Sequence, residues 1–127
     1  MPPRVRAQAS KPRDVIRFSK DTAVAAGGSD ESVLTGGPLG DGDRWMIQIF
    51  GASEAGTGDG IASVVKLQLG RPGNWTTLRS FGLSSTVAEV SLERVVTGNG
   101  TKRLRVVREN RSAAGKPIMA WVEAYKL

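Results

Sequence analysis

The chain has 127 residues, a net charge of +6, no cysteine and no histidine. At that length it is expected to bury about two-thirds of its unfolded surface and to hold a core without covalent staples. The missing residue types exclude disulfides, thiolate ligands and cysteine nucleophiles, and they remove the usual general base near neutral pH and the commonest zinc ligand.

The charge is concentrated at one end. Residues 1–20 contain Arg4, Arg6, Lys11, Arg13, Arg17 and Lys20 against Asp14 alone, a net of +5, whereas residues 21–127 carry twelve basic and eleven acidic residues, a net of +1. Residues 1–14 are rich in charge, carry prolines at 2, 3 and 12, and have little apolar content. That composition predicts an extended arm, with residues 15–127 as one domain. The six basic residues are the candidate partner-binding group of the arm. No apolar stretch follows Met1 and no window approaches a membrane span, so the chain is expected to stay in the compartment where it is made.

In chain order, residues 15–18 have the β-branched and aromatic character of an edge strand tying the arm to the body. Residues 22–26 suit either a strand or a stub of helix. Six glycines then make residues 27–43 mostly loop, with room for a short strand at 31–34. The glycine-rich part of that loop lacks the Lys-Ser/Thr ending of a phosphate loop. Residues 44–50 read as a strand with Trp45, Ile47 and Ile49 on one face and Met46, Gln48 and Phe50 on the other. Two rather apolar faces predict a central position or a second contact surface. A small-residue loop, 51–60, leads to a strand at 61–69, with Ile61, Val65, Leu67 and Leu69 opposite Lys66 and Gln68. Residues 70–74 make a turn, and in the strand at 75–81 Trp75, Thr77, Arg79 and Phe81 alternate with Thr76, Leu78 and Ser80.

The C-terminal third is the most strongly patterned stretch. Ala88, Val90 and Leu92 alternate with Glu89, Ser91 and Glu93. Thr97-Gly98-Asn99-Gly100 predicts a tight hairpin turn into the strand at 102–108. The last strand, 118–127, again has two apolar faces, with Ile118, Ala120, Val122 and Ala124 on one and Met119, Trp121 and Tyr125 on the other. Seven or eight short strands with regular turn signals and no amphipathic helix predict an all-β chain. The expected fold is an antiparallel β-sandwich, jelly-roll or immunoglobulin-like, with an extended N-terminal arm.

Few residues suggest chemistry. Asp41, Asp43, Glu54 and Asp59 are carboxylates a calcium ion could use, but their spacing fits ordinary solvated turns better. Glu89 and Glu93 are about 13 Å apart along one strand, too far for paired glycosidase carboxylates. Ser53, Ser84 and Ser85 have no histidine to activate them. The three Asn-X-Ser/Thr matches, at Asn74, Asn99 and Asn110, read as turn residues. Accordingly no catalytic residue, metal site or cofactor is expected. Lys102, Arg103, Arg105, Arg108 and Arg111 form a basic cluster that could serve nucleic acid, but no aromatics lie among them, and pairing of Arg103 and Arg105 with Glu89 or Glu93 across a hairpin fits the pattern better. Exposed Trp75 or Trp121 could stack on sugar rings. Met119, Trp121 and Tyr125 are the candidate subunit contact, with ordinary core packing as the alternative.

Together, the basic Pro-containing arm, the lack of Cys and His, and two C-terminal runs give the chain a recognisable style. The runs are Gly98-Asn99-Gly100-Thr101-Lys102-Arg103-Leu104-Arg105-Val106-Val107 and Pro117-Ile118-Met119-Ala120-Trp121-Val122-Glu123-Ala124-Tyr125. In these features the chain resembles the small accessory virion proteins of tailed bacteriophages, particularly capsid decoration or cement proteins. The resemblance implies a β-rich homotrimer made in the host cytoplasm. It would sit on the capsid surface and bind the major capsid protein or other virion proteins, partly through its arm, without catalysis, cofactor or membrane. Nucleic-acid binding and carbohydrate binding are the alternatives.

Overall fold

The computed structural model describes residues 15–53, 61–84 and 89–127, and among them nine strands form two antiparallel sheets. In chain order these are β1 (Val15–Lys20), β2 (Ala23–Val24), β3 (Ser29–Val33), β4 (Arg44–Ser53), β5 (Ile61–Arg71), β6 (Asn74–Ser84), β7 (Glu89–Thr97), β8 (Arg103–Asn110) and β9 (Lys116–Lys126). The first sheet has the order β1-β9-β4-β7, with β2 also paired to β9, and the second has the order β3-β8-β5-β6.

The pairing is nested. β5 pairs β6, β4 pairs β7, β3 pairs β8 and β1 pairs β9, so the chain is one long hairpin folded over into two layers. Its tip is the two-residue connection Pro72-Gly73, where proline presets φ and Gly73 supplies the positive φ, 85°, that a type II turn needs. This wrapped hairpin is a jelly roll, which resolves the choice left open with the immunoglobulin-like sandwich.

The core lies between the sheets and draws on both. Ile47 and Ile49 of β4 and Ile118, Ala120, Val122 and Ala124 of β9 meet Val65, Leu67, Leu83, Leu104 and Val106, each at most 1% exposed. Burying one such aliphatic side chain contributes about 1.5–3 kcal/mol. Large and small residues are matched across the layers. Gly51 stands opposite Ala120 in register, and a Cβ there would lie 2.5 Å from the Phe81 ring of the other sheet.

Two expectations need correction. The tetrapeptide at 97–100 is not a hairpin turn, because β7 and β8 belong to different sheets and the connection crosses between them. It packs instead against the glycine-rich loop. Gly98 N–H donates to Asp43 O, Gly42 N–H to Gly98 O, Gly100 N–H to Leu39 O and Leu39 N–H to Lys102 O. A Cβ on Gly98 would fall 2.4 Å from Gly40 O, so glycine serves close approach there rather than a hairpin. The second correction concerns β6. Its alternation is broken by a register shift between Leu67 and Gln68, which leaves Trp75 and Thr77 on the outer face and Phe81 in the core.

Candidate self-association surface

The register of the first sheet places its outward side chains in four levels across the strands. Val15, Tyr125, Met46 and Val95 form one level. Arg17, Glu123, Gln48 and Glu93 form the next. Ser19, Trp121, Phe50 and Ser91 follow, and Met119 and Ala52 lie beyond them. The inward residues of the same strands are the core residues above, so strand alternation alone sends this second apolar set to the outside. Met46, Phe50, Met119, Trp121 and Tyr125 are half-buried only by one another and their neighbours. Val15 at 38% and Val95 at 39% are exposed at the two edges. Met119, Trp121 and Tyr125 thus share one face, and β4 adds Met46 and Phe50, which sequence reading placed on a second apolar face without linking them to β9. A cleft of about 320 Å³ at the Met119 end is lined by Asp21, Ala52, Ser53, Pro117 and Met119.

The outer face of the second sheet is built differently. Val64 and Val107 point outward in register yet are buried, flanked by the ion pairs Lys66–Glu109 at 2.9 Å and Arg105–Glu31. Arg105 also donates to Gln68 Oε1 at 2.8 Å and covers the Trp75 ring at 4.5 Å, so one face of that indole is already occupied. Glu109 is held below its ordinary range by the Lys66 hydrogen bond, against the opposing effect of burial, with help from Arg111. These charges therefore neutralise one another within the chain.

The basic cluster is dispersed by the same architecture. Arg105 pairs with Glu31 on β3 rather than with Glu89 or Glu93, whose strand is in the other sheet. Arg111 reaches Glu109 at 3.2 Å. Arg108 is 1% exposed and turns inward. Its guanidinium donates to Asp30 Oδ2 from Nη2 at 2.9 Å and from Nε at 3.3 Å, to Thr22 O and Ile118 O at 2.7 Å each, and to Thr22 Oγ1 at 3.0 Å. Burial would raise the Asp30 pKa, but the hydrogen bonds from Arg108 and Lys20 outweigh it and hold the carboxyl below its ordinary value. Only Lys102 and Arg103 of the five lack an ion pair among the described residues.

Of the candidate arm residues, Arg4, Arg6, Lys11 and Arg13 lie outside the described residues, as does the arm itself. Arg17 and Lys20 belong to β1, where Arg17 pairs with Glu123 and Lys20 with Asp30, each at 3.1 Å. Asp43 lies 3.8 Å from Lys126, while Glu54 and Asp59 are outside the described residues. Among the described residues no three metal-ligating side chains gather. Asn110 is buried. Its side-chain amide donates to Val24 O and Ala114 O at 2.8 Å each, and its Oδ1 accepts from Ser112, which makes it the organiser of the β8–β9 connection.

No family model and no curated protein matches the sequence. Solved structures do resemble the fold. PRD1 vertex protein P5 is 14% identical, with a TM-score of 0.54, over 91% of this chain and 97% of its own. The Eiger TNF of S. frugiperda is 12% identical, with a TM-score of 0.54, over 92% and 94%. A CBM4 carbohydrate-binding module is 13% identical, with a TM-score of 0.51, over 84% and 89%. Such likenesses place the chain among jelly-roll β-sandwiches.

Proposed function

We propose that this chain is a non-enzymatic structural subunit of a bacteriophage particle, which forms a homotrimer and binds the coat lattice. The carrying observation is the contrast between the two outer faces. The second sheet covers its outward valines with in-chain ion pairs, whereas the first presents Met46, Phe50, Met119, Trp121 and Tyr125 between exposed Val15 and Val95. Soluble monomers rarely leave such a contiguous apolar patch open, and an interface core of aromatic residues and methionine is the usual reason for one. The absence of histidine and cysteine from the sequence supports the non-catalytic part. The phage vertex protein among the similar folds, together with the resemblance to decoration proteins, supports the setting on a virion surface.

In this reading the first sheet serves self-association, and the basic residues Arg4, Arg6, Lys11 and Arg13 serve attachment to an acidic coat surface. Sedimentation of the full chain should give a trimer, and the chain should be found on purified particles by electron microscopy. Deleting residues 2–14 should abolish attachment to particles while leaving the trimer intact. A monomer at tens of micromolar would sink the self-association reading. Unchanged attachment after the deletion would sink the role of the arm. Glycans are expected to leave the tryptophan fluorescence unchanged, because Arg105 covers Trp75 and Trp121 lies within the subunit face.

A further inference from the structure

The four levels on the first sheet constrain how copies can meet. From them we infer that the trimer axis runs parallel to the strands, so that each level meets its own level in the next copy, and Arg17 of one copy pairs with Glu93 of its neighbour. This inference rests on the self-association reading above and goes further, fixing the direction of the axis and the residues at the joint.

The pattern of levels carries the direction. An axis parallel to the strands preserves height along them. The Val15–Tyr125–Met46–Val95 level then meets itself, the charged level meets the charged level, and Trp121 and Phe50 meet their own kind. A two-fold axis across the strands would invert the order and set the charged level against Trp121 and Phe50, where burial without partners is costly, and a three-fold axis across them would bring the Val15–Val95 end of one copy to the Met119 end of the next and keep Arg17 away from Glu93. The charge signs at the edges agree. Arg17 lies on edge strand β1 and is 72% exposed even while it touches Glu123. Glu93 lies on the opposite edge strand, β7, is exposed, and has no ion pair among the described residues. Within one chain the two are three strand spacings apart, about 14 Å, so they can meet only between copies.

The dimensions favour three copies. Four strands span about 19 Å, and three faces of that width close into a triangle whose faces stand about 5–6 Å from the axis. That matches half the ~10 Å spacing of packed sheets, so Tyr125, Met46, Trp121 and Phe50 can fill the centre. Four copies would leave each face about 10 Å from the axis and a hole between them. Two copies face to face would bury the whole charged level, whereas the triangle encloses only Glu123, which keeps its Arg17 partner, and uncharged Gln48, and leaves Arg17 and Glu93 at its corners, open to water.

The cysteine-free sequence makes the test clean. The full chain carrying Arg17→Cys and Glu93→Cys together is oxidised mildly and run on a non-reducing gel. The expected product is a covalently closed trimer, with no cross-link from either single variant, since a disulfide needs Cα atoms about 4.4–6.8 Å apart. A control pair, Ser19→Cys with Val95→Cys, lies on the same two edges but two levels apart and should not cross-link. A covalent dimer would overturn the three-fold arrangement. A cross-linked control pair, or an intact trimer with no cross-link in the first pair, would overturn the level matching while sparing self-association. A monomer in sedimentation would remove both. Independently of cysteine chemistry, Arg17→Glu should weaken association about tenfold or more, and Glu93→Arg in the same chain should restore it to within about threefold. Failure of that rescue would overturn the pairing.

Discussion

Replacing Arg108 by alanine tests whether the two layers are fastened by a buried clasp. The side chain is 1% exposed and joins β8 to three other parts of the chain. Asp30 lies on β3, Thr22 just before β2, and Ile118 on β9 of the opposite sheet. Truncation leaves the Thr22 and Ile118 carbonyls without this donor and leaves Asp30 with Lys20 as its ion-pair partner. Breaking a buried ion pair from one side costs about 3–5 kcal/mol. Asp30 is itself 30% exposed and keeps Lys20, which draws the value towards the lower end. Against a total stability on the order of 5–15 kcal/mol, that is a large share. It corresponds to a fall in melting temperature of roughly 10–15 °C for a chain of this size. The assay is urea unfolding at one fixed protein concentration, because association adds its own stability. Arg103→Ala, at an exposed position on the same strand, is the control and should stay within about 0.5 kcal/mol. Equal losses for the two variants, or a loss below about 1 kcal/mol for Arg108→Ala, would refute the clasp.

Acid should loosen the same region. The folded pKa values of Asp30 and Glu109 lie below their ordinary values of 3.8 and 4.5, so the unfolded chain binds more protons in that range. Their stabilisation is therefore complete above those values and lost as pH falls through the lower folded ones. Unfolding midpoints measured from pH 6 down to 3 should show this decline, and Asp30→Asn should flatten it. Gly98→Ala should cost about 2–3 kcal/mol in urea unfolding, because the new Cβ would press on Gly40 O and Leu39, whereas Gly28→Ala, with its nearest contact at 3.2 Å, should cost less. Trp121→Glu should convert the oligomer to monomer in sedimentation while leaving the far-ultraviolet circular dichroism unchanged, since the side chain lies on the outer face.

The strands themselves were legible because their signal is local. The alternations at 44–50 and 118–125 separate core from outer face residue by residue, and burial follows them: Ile47, Ile49, Ile118, Val122 and Ala124 are inside, while Met46, Phe50, Met119 and Trp121 look out. The turn at 70–74 was legible in the same way, but the connection at 97–100 was not, because one signal serves two geometries. A Gly-Asn-Gly run suits a hairpin, and it equally suits a crossover that must press against another loop. Asn99 is satisfied locally, accepting from the backbone N–H groups of Thr101 and Lys102, which leaves no trace in the sequence of which turn is meant. Arg108 was misread for a related reason. An arginine among other arginines on one strand looks like part of a solvated face, and only the fold brings Asp30, 78 residues upstream, to meet it.

The nested pairing also explains why the surface and the clasp coexist in so short a chain. Folding one long hairpin into two layers makes the outermost pair, β1 with β9, adjoin the inner pair β4 with β7, so the two strands with doubly apolar patterns, β4 and β9, become neighbours. Had β9 paired with β8, as a simple hairpin succession would have it, Trp121 and Phe50 would not share a level and the apolar residues would be scattered. The same wrapping carries β8 into the second sheet, where Arg108 can reach across to the Ile118 carbonyl of β9 and tie the layers behind the exposed face. A rigid sheet matters for a surface whose recognition depends on matched levels, because a slip of one residue along β9 would exchange Ala120 and Val122 for Trp121 and Glu123. Stability on the inside and specificity on the outside therefore depend on one register, and the ladder between β4 and β9 holds both.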